Sequence, residues 1–449
     1  MSRRNLVWLA VILGIAVLFF RFPRMAAEPD PLQRSYGPLL EVDALIRQNY
    51  VEPITDTRLL EGAVRGMMRQ LDPYSGYIGP AEMESFRRST TGRYIGIGVE
   101  TGIHRGQLMV IAPLEDGPAV HAGIRAGDVI LAVDDRLTDD LTVSDVSESL
   151  YGPAGSHVTL TVRHRGNEEA EDIVVSRGPV SVHGVKGFRH LAPGHWDYVI
   201  DPVGAVAYVR VASFQGNTTD DFDAALDEFR ETGVQALILD LRFNGGGLMS
   251  QAIDMVDRFV SEGIIVSTVT RRQAVSQYYA HQEGEFGDVE LVVLINGASA
   301  SAAEIVAGSL QAHGRATVVG TRSLGKGVVQ HVIDLRDRAA ALRLTVAYYK
   351  LPNGRIIHKT PANAATEDWG IIPDVEVVLT DEELEAIQES RRLVDAAVDF
   401  PTTQDVARIP TTTRLTGPTG PSIFIDRQLA KALELVAPSV PLTANGQLD

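Results

Sequence analysis

The 449-residue sequence has no cysteine, which excludes disulfides, thiolate catalysis and thiolate metal sites and leaves the compartment open. Its 11 histidines are scattered, without an H-E-x-x-H or comparable ligand spacing, so neither a metal nor another cofactor is expected. Positive charge is in deficit: 41 Lys and Arg face 58 Asp and Glu, a net charge of −17, with no basic stripe. Nucleic acid is therefore excluded as a partner, because neutralising phosphates takes clustered cations. Long apolar runs are lacking too, Leu6–Phe20 stopping at 15 residues. What is present, 45% hydrophobic and 22% charged residues, suffices for ordinary cores, and the length suggests about three domains.

The Leu6–Phe20 run is flanked by Arg3, Arg4, Arg21 and Arg24. That is the length of a signal-peptide core and short for a bilayer-spanning helix of about 20 residues. No A-x-A cleavage site follows, Met25-Ala-Ala27 being the nearest approach. Residues 1–27 are read as an uncleaved signal anchor in preference to a removed signal peptide; either form exports the bulk of the chain to the extracytoplasmic (periplasmic) side, and the anchor makes the membrane a partner. Residues 35–92 read as a helical segment, with Leu39, Leu40, Ala44, Leu45 and Ile46 and then Leu59, Leu60, Ala63, Val64 and Met67 at helical spacing, and a turn cluster at Asp72–Gly76.

From residue 179 strands and helices alternate. Val206–Val211, Ala236–Leu241 and Leu291–Ile295 read as buried strands, and Thr218–Arg230, capped by its threonine, and Ala302–Ala312 as helices. The pattern predicts an α/β core over 179–380 with its site at strand ends. Residues 381–449 form a C-terminal helical segment: a capping box at Thr380 opens a helix to about Val398, a Thr/Pro/Gly-rich loop spans Pro401–Pro421, a last helix covers Asp426–Val436, and the final dozen residues are mobile.

Within the core, Ser301 is followed 25 positions later by Lys326. Serine and lysine on separate elements are the minimum set for a hydrolase without histidine, since a lysine kept neutral by burial can take the hydroxyl proton. Ser301 stands where a buried strand meets a helix N-terminus, so the Ala302 N–H and the helix dipole can face a developing oxyanion. Ser301 with Glu304 is also a capping box, and most such serines only cap. Ser299 remains an alternative nucleophile. Ser323-Leu-Gly-Lys326 spells S-x-x-K, but glycine and the following valines spoil the helix that signature needs. His313 and His331 are read as helix-end and strand residues.

The strings Asn296–Glu304 and Ser323–Gln330 resemble the active-site motifs of the carboxy-terminal processing peptidases, S-A-S-A-S-E-I and G-K-G-x-V-Q. Asp240–Gly247, Tyr348–Arg355 and Gly370–Asp374 resemble further blocks of that family, in family order. Ala303, Ala312 and the dozen residues His358–Trp369 depart from the pattern. Tyr94–Val99 and Gly117–Val133 resemble the carboxylate-binding loop and core of PDZ domains, placing a β-rich PDZ domain at 93–178 with a groove helix at Val143–Leu150, a strand at Val158–Val162 and an apolar pocket.

The resemblance implies a ClpP/crotonase-like α/β peptidase core with an inserted PDZ domain and helical N- and C-terminal segments. It implies a serine endopeptidase with Ser301 as nucleophile, Lys326 as base and Gln330 orienting the lysine. Reaching Lys326 from Gln330 on one strand would take a bulge near Gly327 or a long lysine reach, four residues spanning about 13 Å. The oxyanion donors would be Ala302 with Gly246 or Gly247, and the PDZ loop Ile95, Gly96, Ile97 and Gly98 would hold a substrate's carboxylate. Partners would be proteins with accessible C-termini, and a homo-oligomer or adaptor is compatible. The competing reading is a catalytically inactive PDZ scaffold.

Overall fold

The computed structural model describes residues 3–21, 31–104, 106–114, 117–192, 195–201, 203, 205–281, 286–336, 339–366, 368–396, 412–417 and 420–436. They form two compact units, divided after Tyr77.

The first unit is helical. Arg3–Arg21 carries the Leu6–Phe20 run, yet no helix among the described residues is long and apolar enough to cross a membrane. Fifteen residues at 1.5 Å each reach about 22 Å against a hydrocarbon core of about 30 Å, so the expected membrane-spanning anchor is not supported. Pro31–Asn49 and Asp56–Met68 follow, the second capped by the Thr55 hydroxyl. Asp72 accepts from the Tyr74 and Ser75 amides, which closes the expected turn.

The second unit is built on a seven-stranded sheet. Its path runs Val185–Lys186, Val206–Val211, Ala236–Asp240, Glu290–Ile295, Thr317–Gly320, Val375–Glu376, parallel from the second strand onward. Parallel strands are covered on both faces, which is why these read as unbroken Val/Ile/Leu runs. Leu237, Leu239, Val293 and Ile295 pack under the helices Thr218–Thr232, Met249–Asp257 and Ala302–Ala312. Ile238 and Leu294 point the other way, onto Leu429, Ala432 and Val436 of the helix Arg427–Val436. An antiparallel sheet holds Val328–Leu335, Ala340–Lys350, Ile264–Thr270 and Val275–Tyr279.

The PDZ region folds around a sheet of Val99–His104, Gln107–Pro113, Val129–Val133, His157–Arg163 and Glu171–Ser176. The strict in/out alternation of Gln107–Pro113 and His157–Arg163 turns Leu108, Val110, Val158, Leu160 and Val162 inward, where Val146 and Leu150 of the helix Val143–Leu150 close the core.

Two local expectations are corrected. The N-cap position of the helix Thr218–Thr232 is Asn217, whose side chain makes no cap hydrogen bond; the Thr218 hydroxyl ties the preceding loop, accepting from Gln215 N and donating to Ser213 O. Where a loop over Pro401–Pro421 is expected, Thr412–Gly417 pairs with Gly420–Ile425 as a hairpin, the β-branched Thr412, Thr413, Thr416, Ile423 and Ile425 outweighing loop composition there. Residues 397–411, 418–419 and the final dozen lie outside the described residues.

Candidate active site

The strand Glu290–Ile295 ends in the turn Asn296–Ala300, and the helix Ala302–Ala312 begins immediately after Ser301. Ser301 itself has φ +57° and ψ −116°, a strained conformation for a residue with a Cβ. The amide of Ser301 donates to Glu304 Oε2 at 2.8 Å. The Glu304 amide goes to the Ser301 carbonyl (2.9 Å), so the serine hydroxyl is not the cap its position suggested. Ser299 is fully buried, its hydroxyl donating to Leu241 O (2.8 Å) and accepting from Asn296 N (3.0 Å).

Glu304 is the centre of this region, a role its sequence position did not reveal. Its side chain is wholly buried, and its carboxylate also accepts from Gly325 N (2.7 Å), Lys326 N (2.8 Å) and the Ser323 hydroxyl. Burial pushes its pKa up, against the pull of those donors. The arm carrying Lys326 is thereby tied to the arm carrying Ser301. The buried Tyr349 hydroxyl makes a second tie, lying 3.2 Å from the Ser301 carbonyl and 3.0 Å from that of Lys326.

Lys326 sits on an extended loop just before Val328–Leu335, so Ser323 and Lys326 share no helix, and Ser323 is buried with its hydroxyl accepting from Ile371 N. Burial depresses the lysine pKa, Arg343 adds a push of like charge, and Glu304 works against both. A Cβ at Gly327 would come within 2.6 Å of His358 N, so glycine is what lets this loop lie on the start of the His358–Trp369 segment. The ladder shifts register between Val329 and Gln330, and the Gln330 Nε2 is buried without a hydrogen-bond partner.

The Asp240–Gly247 segment meets the serine from the neighbouring strand end. Asn244 holds the turn, with Nδ2 donating to Val211 O (2.7 Å) and Oδ1 accepting from Gly246 N (2.8 Å). At Gly246 φ is +98°, and a Cβ there would lie 2.6 Å from Ser301 Cβ and 2.8 Å from Ala300 O. Gly246→Ala is therefore expected to push the two arms apart, lowering the cleavage rate about 10²-fold with a stability loss of about 1–3 kcal/mol. Peptide hydrolysis and thermal melts check it, and an unchanged rate would show that this approach is not needed.

Behind the turn, Arg242 is buried against Asp240 and Asp426. Burial pushes Asp240 up, but the Arg242 and Arg391 guanidiniums hold it well below the usual carboxylate range. Sequence reading missed this network because Asp426 lies 184 positions from Arg242.

In the PDZ region, Gly96 pairs with Gly178 and bridges Tyr151, while Ile97 is buried and Ile95 partly exposed. The carbonyls of Ile97 and Gly98 accept from Ala119 and Leu114 at 2.8 Å. A narrow cavity of about 20 Å³ follows, lined by Tyr94, Ile97, Gly98, Val99, Leu150 and Tyr151 among others. Tyr94 and Tyr151 meet edge to face at 5.1 Å, and Arg88 stacks on Tyr151 at 3.9 Å. Among the described residues no cluster of His, Asp and Glu could hold a metal.

The sequence matches Peptidase family S41 over residues 205–377, a PDZ domain over 109–164 and the Activating protease CtpB N-terminal domain over 38–81. It is 37% identical to a carboxy-terminal-processing protease of Bartonella bacilliformis over 74% of this chain and 72% of that protein. A carboxyl-terminal-processing protease of Synechocystis is 34% identical over 74% of each chain. The solved photosystem II D1 C-terminal processing protease is 30% identical and covers 82% of this chain and 92% of its own, with a TM-score of 0.44. With identity of this level over nearly three quarters of its length, the chain belongs to the PDZ-containing carboxy-terminal-processing proteases of peptidase family S41, which are serine-type hydrolases of peptide bonds.

Proposed function

We propose that this enzyme is an exported endopeptidase that captures protein C-terminal tails on its PDZ domain and cleaves the chain upstream through a Ser301–Lys326 dyad. The observation that supports it most is the double tie of Glu304 and Tyr349, which holds a strained serine and a depressed lysine on one frame.

In this reading neutral Lys326 takes the Ser301 hydroxyl proton as the oxygen attacks the scissile carbonyl. The resulting oxyanion lies at the N-terminus of the helix Ala302–Ala312, facing the Ala302 amide. Because the Gly246 N–H is already given to Asn244 Oδ1, Gly247 is the better second donor of that turn. The protonated lysine then returns the proton to the leaving amine, which leaves an acyl-enzyme; water attacks it with Lys326 again as base, releasing the acid and restoring the serine. The bulge before Gln330 and its unpartnered buried amide fit a group that steadies the lysine. The arginine-flanked run Leu6–Phe20 supports export to the extracytoplasmic side.

PDZ capture depends on a free carboxylate meeting the Ile95–Gly98 loop. Peptides carrying one scissile sequence, with either a free or an amidated C-terminus, separate capture from chemistry. The acid form is expected to show the lower KM with similar kcat, and equal KM values would refute tail capture. Fluorophosphonate labelling of Ser301, absent in Ser301→Ala, tests the nucleophile independently.

A further inference from the structure

We propose that Asp426, at the start of the last helix, is a positioning residue for the turn that faces the nucleophile, so that the C-terminal segment is a working part of the active site. This rests on the reading of Ser301 as nucleophile and of the Gly246–Gly247 turn as its oxyanion neighbour.

Arg242 is 2% exposed, and its guanidinium is held between two carboxylates. Nη1 and Nη2 donate to Asp426 Oδ1 and Oδ2, each at 2.9 Å, in a bidentate pair, and Nε and Nη2 donate to Asp240. Gln428 Oε1 takes a further bond from Nη1 at 3.1 Å. Arg391, on the helix Asp381–Ala396, donates to the Arg242 carbonyl (2.9 Å) and to Asp240, and Tyr208 adds a bond to Asp240 at 2.8 Å. Asp426 is itself anchored as the start of its helix, accepting from Leu429 N at 3.0 Å, while Gln428 Nε2 holds Val377 O. Buried Arg242 and half-buried Arg391 thus balance two buried anions, and Arg391 and Asp426 both come from beyond the 205–377 peptidase match.

The position of Arg242 in the chain gives this network its consequence. The next residue, Phe243, sits at φ +64°, a left-handed conformation costly for a phenylalanine. Its amide is held by Asn296 Oδ1 at 3.0 Å, and Arg391 stacks on its ring. Asn244 and Gly246 follow, with Asn244 O accepting from Ala300 N (2.9 Å) beside the serine. A strained turn keeps its shape only where both ends are fixed. Asn244 fixes the far end, and the Arg242 fork fixes the near one. Removing Asp426 takes the bidentate pair from a buried guanidinium, and Arg242 can replace those two acceptors only by moving, which carries Phe243 and Gly246 with it.

The test uses the full chain with Asp426→Asn, Asp426→Ala and Asp426→Glu, and with Leu429→Ala as a control that loosens the last helix without touching the charges. The readouts are kcat and KM per site titrated with a fluorophosphonate, and the rate of phosphonylation. In Asp426→Asn and Asp426→Ala, kcat and phosphonylation rate should both fall by about 10²-fold with KM nearly unchanged, and Asp426→Glu should recover part of the loss. Leu429→Ala should lower the melting temperature but keep kcat per titrated site. Wild-type kcat in Asp426→Asn would overturn the proposal, as would a loss in Leu429→Ala as large as that in Asp426→Asn. Should Asp426→Ala fail to fold, Asp426→Asn and Asp426→Glu decide. A Ser301→Ala protein that still cleaved would instead refute the underlying site, which separates the two failures.

Discussion

Lys326→Met is expected to abolish cleavage, by about 10⁴-fold or more, while raising the melting temperature at neutral pH. A dyad that loses its base keeps only the binding and oxyanion contributions, so Ser301→Ala should be equally inactive. The stability gain follows from the sign of the lysine's shift. Its folded pKa is lowered, by burial first and by Arg343 second, against the opposing pull of Glu304. Between that lowered value and the ordinary lysine value the unfolded chain binds more protons than the folded one, so wild-type stability rises with pH across the window. Methionine removes the penalty, and the difference in melting temperature should shrink as pH climbs toward the ordinary lysine range. Wild-type activity should rise with pH along the same ionisation, because only the neutral amine can accept a proton. Arg343→Ala, which removes a like charge, should move that ionisation upward. Melts and pH–rate profiles check each part; activity retained in Lys326→Met would end the dyad mechanism.

The elements that frame this site could be read in the sequence because they are governed by local rules. The strand Val206–Val211 and the helix Ala302–Ala312 lie where hydrophobic pattern and capping residues put them. The family and its PDZ domain could be read for another reason, since several motifs recur in order. What escaped was set by contacts between distant segments. Glu304 looked like a capping residue, and half of that cap is made; its three other donors come from a loop some twenty residues away, and no local pattern announces them. Tyr349 reaches its two carbonyls across a sheet whose long Val328–Leu335 and Ala340–Lys350 hairpin has no short turn signal. The hairpin Thr412–Ile425 was hidden by proline and glycine, whose statistical weight as loop formers hides the β-branched residues between them. Asp426 holds Arg242, the neighbour of Phe243, from 184 positions away, a link that ordinary spacing arguments cannot make.

Glu304→Gln is expected to damage stability and catalysis together, although it changes one atom. The carboxylate accepts four hydrogen bonds, from the Ser301, Gly325 and Lys326 amides and the Ser323 hydroxyl. An amide offers one acceptor oxygen, and its NH₂ would face two of those donors in a site with no water-exposed surface. Leaving buried donors unpaired costs about 2–4 kcal/mol, which should appear as a lower melting temperature. Because the same donors fix the Ser301 and Lys326 backbones, kcat should fall about 10²- to 10³-fold. Ser323→Ala removes only one of the four and should be far milder. Charge and geometry can be told apart within the residual activity. Glu304 favours the protonated lysine, so its neutralisation should lower the lysine pKa further and move the activity profile toward acid, opposite to Arg343→Ala. A Glu304→Gln enzyme with wild-type kcat and stability would show that the carboxylate only fills space. A fall in kcat with the profile shifted to acid would show that it both holds the two arms together and sets the proton affinity of the base between them.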